Sequence, residues 1–320
     1  MADATRAAAH AAPRPPARPP AGYAARMPVA PPPIAVALVG AGPWAAKAYA
    51  PMLASGPETR LAVVWSRTPE AARALAAAHG AEAAETFDAL LGRCDAVAFA
   101  VPPDVQAEMA IRAARAGKAL LLDKPLALTL EAAERLAREV AEAGVVTQLM
   151  LTHRFRSRTA EFLARAREWE AFGARLAFLS SAFIRGPYAC PWRREHGALH
   201  DLGPHAFDLL DAALGPIESI VGRGDPRRFV ALGCRHASGA ISEVALSGVT
   251  PIEPTIFRLD LFGPRGALEF DAVAASVEEP WAEARRRFAK AFRGGQPGPL
   301  EVQRGLLLQR LIDRALRSLA

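Results

Sequence analysis

Residues 34–42, Ile-Ala-Val-Ala-Leu-Val-Gly-Ala-Gly, restrict the possible folds of this chain more than any other stretch. Six apolar residues run without a polar interruption into a glycine turn, and Pro43-Trp44-Ala45-Ala46 then opens an alanine-rich helical segment. A strand with no polar interruption is one buried on both faces. The order strand, glycine turn, helix puts unpaired backbone amides and the positive end of a helix dipole at the strand's carboxyl end, where an anion is favoured. Gly40 reads as the tight turn, and Gly42 as the point where backbone approaches a phosphate with no Cβ in the way. Ala45 takes the third position, where only a small side chain lets helix and strand pack closely. Pro43 suits a first helical turn, where its missing N–H costs nothing.

A glycine turn alone is weak evidence, so the segments after it decide the fold. Residues 60–65, 96–101, 119–122 and 145–151 read as further strands, and 45–54, 69–79 and 87–92 as helices. Asp104 is expected to cap a helix ending at Ala116, and Thr129 to open another that stops near Gly144. Apolar strands alternating with helices predict a parallel sheet covered on both faces. Ser66-Arg67-Thr68 stands at the carboxyl end of the second strand. An acidic residue there would bind the ribose hydroxyls of NAD, whereas Arg67 can clamp a 2′-phosphate. The expectation is therefore NADP, with NAD possible. Asp123-Lys124-Pro125 ends the fourth strand, on the side where open parallel sheets bind ligands. Pro125 holds Lys124 in extended geometry. The chain has only three other lysines, at 47, 118 and 290.

The net charge of +6 comes almost wholly from scattered arginines with acidic residues among them, which predicts solvated helix faces and no nucleic-acid partner. Cys94, Cys190 and Cys234 lack metal-ligand spacing and read as reduced thiols. Residues 1–33, rich in Ala, Pro and Arg, are expected to be a disordered extension. No secretory h-region and no apolar run near the ~20 residues of a membrane span is present, so a cytoplasmic protein with no membrane partner is expected.

In the second half, residues 159–169 read as a helix, and strands are expected at 176–183, 217–222, 228–234, 240–246, 256–262 and 267–270. Glycine-bearing loops at 236–239 and 263–266 join the last four into hairpins. The final helix, 301–319, carries Leu307, Leu308, Leu311 and Leu316 as a core stripe. The chemistry-bearing stretch is 197–208, Gly-Ala-Leu-His-Asp-Leu-Gly-Pro-His-Ala-Phe-Asp. Asp201 reads as an N-cap with Pro204 in the first turn, so Asp201 and His205 can converge. A carboxylate beside an imidazole raises its pKa and orients its ring for proton transfer. Gly197 and Gly203-Pro204 interrupt any single helix carrying His196 and His200, so no metal site is expected. Asp208 reads as a structural partner.

Gly40-x-Gly42, the strand end Ala100-Val101-Pro102-Pro103, Ala116-Gly117-Lys118, Asp123-Lys124-Pro125-Leu126, His153-Arg154-Phe155 and the 197–208 segment together resemble the Gfo/Idh/MocA family of oxidoreductases. Two departures stand out: Asp123 where the family usually has Glu, and Gln106 where it often has His. The resemblance implies an α/β protein with an N-terminal Rossmann doubly wound parallel sheet over 34–152. A C-terminal α/β domain with a largely antiparallel open sheet would follow over 153–320. It implies Lys124, Asp201 and His205 as the catalytic set. Gly40, Gly42, Pro43, Trp44, Ala45, Ser66, Arg67, Thr68, Val101, Pro102, Asp123 and Lys124 would face the nicotinamide cofactor. Arg154, Tyr188, Trp192 and Arg193 would face the substrate, in segments that also carry Arg156 and Arg194. The expected activity is hydride transfer between NAD(P) and a secondary alcohol or ketone of a sugar or polyol, in a homodimer or homotetramer. Two other readings share the fold: a non-catalytic nucleotide-binding regulator, and a glycosidase working through transient oxidation by bound NAD.

Overall fold

A computed structural model describes residues 31–277 and 279–319. Of the expected extension, residues 1–30 lie outside them. The first half forms a sheet in the order β3-β2-β1-β4-β5-β6, with every neighbouring pair parallel. Its strands are β1 (Ile34–Val39), β2 (Thr59–Trp65), β3 (Glu82–Ala83), β4 (Ala96–Phe99), β5 (Ala119–Leu122) and β6 (Thr147–Leu149). β1, β4 and β5 are buried along their whole length, as strands covered on both faces must be. This order reverses between β1 and β4, and the crevice outside that switch point is where such sheets bind ligands.

The helices are α1 (Ala50–Ala54), α2 (Pro69–Ala78), α3 (Phe87–Leu91), α4 (Pro103–Arg115), α5 (Leu130–Ala143), α6 (Ser157–Arg167), α7 (Pro191–Asp201), α8 (Gly203–Leu214), α9 (Trp281–Phe292) and α10 (Val302–Leu319). The expected helix 45–54 is two pieces. Residues Ala45–Tyr49 form a π-turn in which the Ala50 N–H reaches Ala45 O, because Pro51 has no N–H to continue the α register. Asp104 is not a cap: Pro102 precedes the helix and Asp104 lies in its first turn, where its charge still favours the dipole. Thr129 caps α5 as expected, accepting from Ala132 N, and Gly144 closes it in the left-handed region at φ 63°.

A second sheet runs β12-β11-β7-β10-β9-β8. It comprises β7 (Gly173–Leu179), β8 (Ile217–Asp225), β9 (Phe229–His236), β10 (Ile241–Ser247), β11 (Ile256–Gly263) and β12 (Gly266–Asp271). Only β7 with β10 is parallel; the other pairs are antiparallel. β9 and β10 alternate between buried and more exposed positions. One face carries Val230, Leu232, Val244 and Leu246 into the core, while the other leaves Phe229, Val221 on β8 and Ile241 exposed. α10 packs along β8, with Leu308 and Leu311 buried. Leu307 departs from the expected stripe and is exposed, since it points away from the buried row of Val302, Leu306, Ile312 and Ala315.

The last two helices return to the first sheet. Leu149 N donates to Leu300 O and Val302 N to Thr147 Oγ1, which covers the β6 edge. Arg285 on α9 is buried against Glu58, Met52 O and the Ser55 hydroxyl. The expected boundary at 152/153 falls between the last strand of the first sheet and the elements that lead to the second.

Candidate active site

At the carboxyl end of β1 the chain turns at Gly40, whose φ is 111°. A Cβ there would lie 2.4 Å from Ala100 O, so the close approach of β1 to the end of β4 admits only glycine. A Cβ on Gly42 would meet nothing within 4 Å. Ala45 is fully buried under the turn. A cleft of about 550 Å³ opens here, in the size range of small-molecule sites. Gly42, Pro43, Trp44, Val101, Pro102, Asp123 and Lys124 line it from the first sheet, and Tyr188, Trp192, Arg193, Asp201 and His205 from the second half. A bare backbone turn beside open space at a helix start fits a dinucleotide pyrophosphate. Ser66, Arg67 and Thr68 stand at the end of β2, outside the cleft lining; Arg67 is exposed.

Lys124 and Asp201 meet across the cleft. The ammonium donates to Asp201 Oδ1 at 2.7 Å and to Asp201 O at 2.9 Å, which leaves one of its three N–H groups unspent. Arg193 Nε lies 3.1 Å from Asp201 Oδ2. These two cations hold the Asp201 carboxyl below the usual carboxylate range against its burial. Gln106 explains how Lys124 is placed. Its side chain is buried, donates to the carbonyls of Asp123 (2.9 Å), Pro125 (3.3 Å) and Leu126 (3.1 Å), and accepts from Asp123 N at 2.7 Å. The residue that departed from the family pattern therefore fixes the backbone on either side of Lys124. Burial pushes the neighbouring Asp123 carboxyl up to about 6.

His205 sits differently from expectation. Asp201 is no N-cap: it ends α7, α8 begins at Gly203, and the 201–205 spacing crosses a helix junction. Its carboxylate is taken by Lys124 and Arg193, and no protein group among the described residues hydrogen-bonds to the His205 ring. The imidazole packs edge-on against His153 at 5.3 Å and tilted against Phe178 at 6.4 Å. Its pKa is therefore lowered, not raised, first by burial and then by Lys124, His153 and Arg156. His153 is pushed down to about 3, chiefly by burial, and its Nδ1 faces Arg156 Nη1 at 3.1 Å.

The expected substrate-facing residues divide. Tyr188, Trp192 and Arg193 line the cleft, and Trp44 meets Tyr188 edge-on at 6.1 Å, joining the glycine turn to the wall built by the second half. Arg154 does not line it. Its Nη1 donates to both oxygens of buried Asp208 at 2.9 Å, and Arg304 Nε donates to the same carboxylate at 2.7 Å. Asp208 is thus the structural partner it was read as. Arg194 is exposed and outside the lining. Lys47, Thr152, Phe178, Ser180 and Cys190 line the cleft without having been singled out. Lys47 alone carried a signal, three residues after Trp44 on one helical side. Gly197 breaks α7 at φ 74°, where a Cβ would strike Pro226 O. His200 spends its ring nitrogens on His196 O and Leu128 O, and no metal-binding group of three side chains occurs among the described residues.

Residues 34–151 match the sequence profile described as "Oxidoreductase family, NAD-binding Rossmann fold" of the Gfo/Idh/MocA group. Among curated relatives, dTDP-3,4-didehydro-2,6-dideoxy-alpha-D-glucose 3-reductase of Streptomyces violaceoruber is 32% identical over 62% of this chain and 60% of its own. Inositol 2-dehydrogenase of Rhizobium meliloti (strain 1021) is 30% identical over 56% and 54%. The matched stretches thus span less than two thirds of those family members. The whole fold matches GenD2 from gentamicin A biosynthesis in complex with NAD, with TM-score 0.79, 22% identity and coverage of 89% and 94%. It also matches the WlbA dehydrogenase from Bordetella pertussis in complex with NADH and UDP-GlcNAcA, with TM-score 0.78, 24% identity and coverage of 89% and 96%. At those identities the likeness shows the fold alone, in both halves. No helix among the described residues is long and apolar enough to cross a membrane.

Proposed function

We propose that this protein is an NAD(P)-dependent oxidoreductase that interconverts a secondary alcohol and a ketone on a sugar or polyol. The observation that carries the reading is the Lys124–Asp201 pair, which joins the end of β5 to the end of α7 in the cleft beside the glycine turn. The residues fit a nicotinamide dinucleotide, with Gly40 to Ala45 under the pyrophosphate and Val101, Pro102, Asp123 and Lys124 along its path. When bound, that group supplies the hydride acceptor or donor. The protein's part is to hold the carbinol oxygen and manage its proton. The unspent N–H of Lys124 stabilises the oxygen as it becomes alkoxide-like, and Asp201 keeps the ammonium aimed. His205 is held neutral, so it has a lone pair to accept the hydroxyl proton. The burial that keeps it neutral also makes it a reluctant base, and the adjacent cation offsets this by favouring the deprotonated substrate.

Arg67 supports a preference for NADP over NAD, because nothing acidic stands at the end of β2 to repel a 2′-phosphate. Exposed Val221, Phe229 and Ile241 on the open face of the second sheet support a homo-oligomer through that face. Titrations with NADPH and NADH, followed by a screen of ketosugars and polyols at the nicotinamide absorbance, test the reading. Lys124→Ala and His205→Ala should each retain cofactor binding while turnover falls about 10²–10⁴-fold. Full turnover in either variant refutes the assignment. Glycoside cleavage with no net absorbance change would show the transient-oxidation alternative instead, and binding without any chemistry would show the regulator. Equal affinity for both cofactors after Arg67→Ala and before it would remove the NADP preference.

A further inference from the structure

Arg193 is placed in a way that holding Asp201 does not explain. Lys124 already meets that carboxylate with a well-aligned contact of 2.7 Å. Arg193 Nε lies 3.1 Å from the other oxygen, but its N–H is not aligned on any acceptor and remains buried without a hydrogen bond. Nη1 donates to Tyr188 O at a long 3.4 Å and to Cys190 Sγ at 3.3 Å, and Nη2 makes no hydrogen bond among the described residues. The side chain is nevertheless only 18% exposed. Its guanidinium is held over the Trp192 ring at 4.7 Å and the Tyr188 ring at 5.7 Å, both in the cleft lining. A buried guanidinium N–H left without a hydrogen bond, as Nε is, is costly, and the cost is recovered when a ligand takes it. Where this chain uses arginines for structure, around Asp208, their N–H groups are aligned on oxygens at 2.7–3.0 Å.

Charge points the same way. Two cations, Lys124 and Arg193, share one firmly ionised carboxylate, and exposed Lys47 adds a third at the cleft wall. The other carboxyl there, Asp123, is turned to the backbone N–H of Lys124, from which it accepts a hydrogen bond, and makes no ion pair with Arg193 or Lys47 among the described residues. A planar guanidinium held against aromatic rings presents a donor edge that matches a carboxylate or phosphate better than a single hydroxyl. We infer that Arg193 is a specificity-determining residue that receives an oxyanion group carried by the substrate, so that the preferred sugar or polyol is an acidic or phosphorylated one. This rests on the oxidoreductase reading of the same cleft and narrows its substrate class.

Matched probes test it on the full chain with bound nicotinamide: glucose, glucuronate and glucose 6-phosphate, and galactose with galacturonate. Calorimetric binding and initial rates are measured for each. The anionic members should show affinity or kcat/KM at least about tenfold above their neutral partners. The carboxylate and phosphate arms identify which oxyanion is preferred. Arg193→Gln should bring the anionic-to-neutral ratio close to one, and Arg193→Lys, which keeps the charge and loses the fork, should restore part of it. Neutral probes bound as well as anionic ones would overturn the inference. So would a fall by one common factor for both classes in Arg193→Gln, since that is what merely holding Asp201 predicts. Anion-selective binding without turnover would keep this inference and remove the oxidoreductase reading; turnover with no anion preference would do the reverse.

Discussion

Two aspartates organise two ionic clusters with nearly the same membership and opposite character. Asp208 takes Arg154 and Arg304 in aligned contacts, with Arg304 also reaching Asp211, and Asp208 is almost wholly buried. Asp201 takes Lys124 and Arg193 at the cleft wall, and there the cations keep donors in reserve. Charges removed from water are tolerated where hydrogen bonds satisfy them, as around Asp208. Charges left partly unsatisfied beside a cavity are the arrangement expected of a group that awaits a ligand. The sequence placed Arg154 and Arg193 in one class; their surroundings place them in two.

The sharpest way to break this contrast is to remove each aspartate. Asp208→Ala leaves the Arg154 guanidinium without its carboxylate and takes one partner from Arg304, and should cost about 3–5 kcal/mol of stability, read by urea unfolding. Asp201→Asn should cost much less stability while turnover drops about 100-fold, since the amide oxygen can still accept from Lys124 but no longer carries the charge. Equal losses of stability in Asp208→Ala and Asp201→Ala would erase the distinction. Next in size is Gln106→Leu. It strips partners from the 123–126 backbone and should cost about 1–3 kcal/mol, with a fall in kcat from a displaced Lys124. A variant stable as the parent and fully active would mean that the loop holds itself.

Acidification is the mildest probe and acts on the cleft side. His153 has a folded pKa of about 3 against an ordinary 6.5, and that of His205 is also lowered. Protons bind the unfolded chain first, so this part of the stability is present above pH 6.5 and is lost as pH falls from there toward 3. Asp123 works in the opposite sense, because its raised pKa of about 6 relieves an ionisation penalty as pH falls through that value. Unfolding midpoints in urea between pH 7 and pH 4 should decline less steeply in His153→Phe than in the parent. An unchanged slope would show that His153 is not held neutral.

Much of the fold was legible along the chain because the signals are local. Fully apolar strands, the Gly40 turn, the Thr129 cap and the hairpin glycines each act within a few residues. The errors mark where local rules compete. Pro51 imposed a π-turn on a helix that alanine content alone would have made regular. Asp201 had the chemistry of an N-cap, yet α7 ran through to it, and its charge was worth more to Lys124 than to a row of backbone amides.

The sequence by itself determined the dinucleotide-type turn, the parallel order of the first half and the residue types that meet in the cleft, since each follows from backbone geometry and side-chain size. Only the tertiary structure decided which arginine lines the cleft and which is structural, that His205 is held neutral, and that Gln106 anchors the lysine. Those outcomes depend on burial and on partners 17 to 77 residues away, which no local pattern encodes.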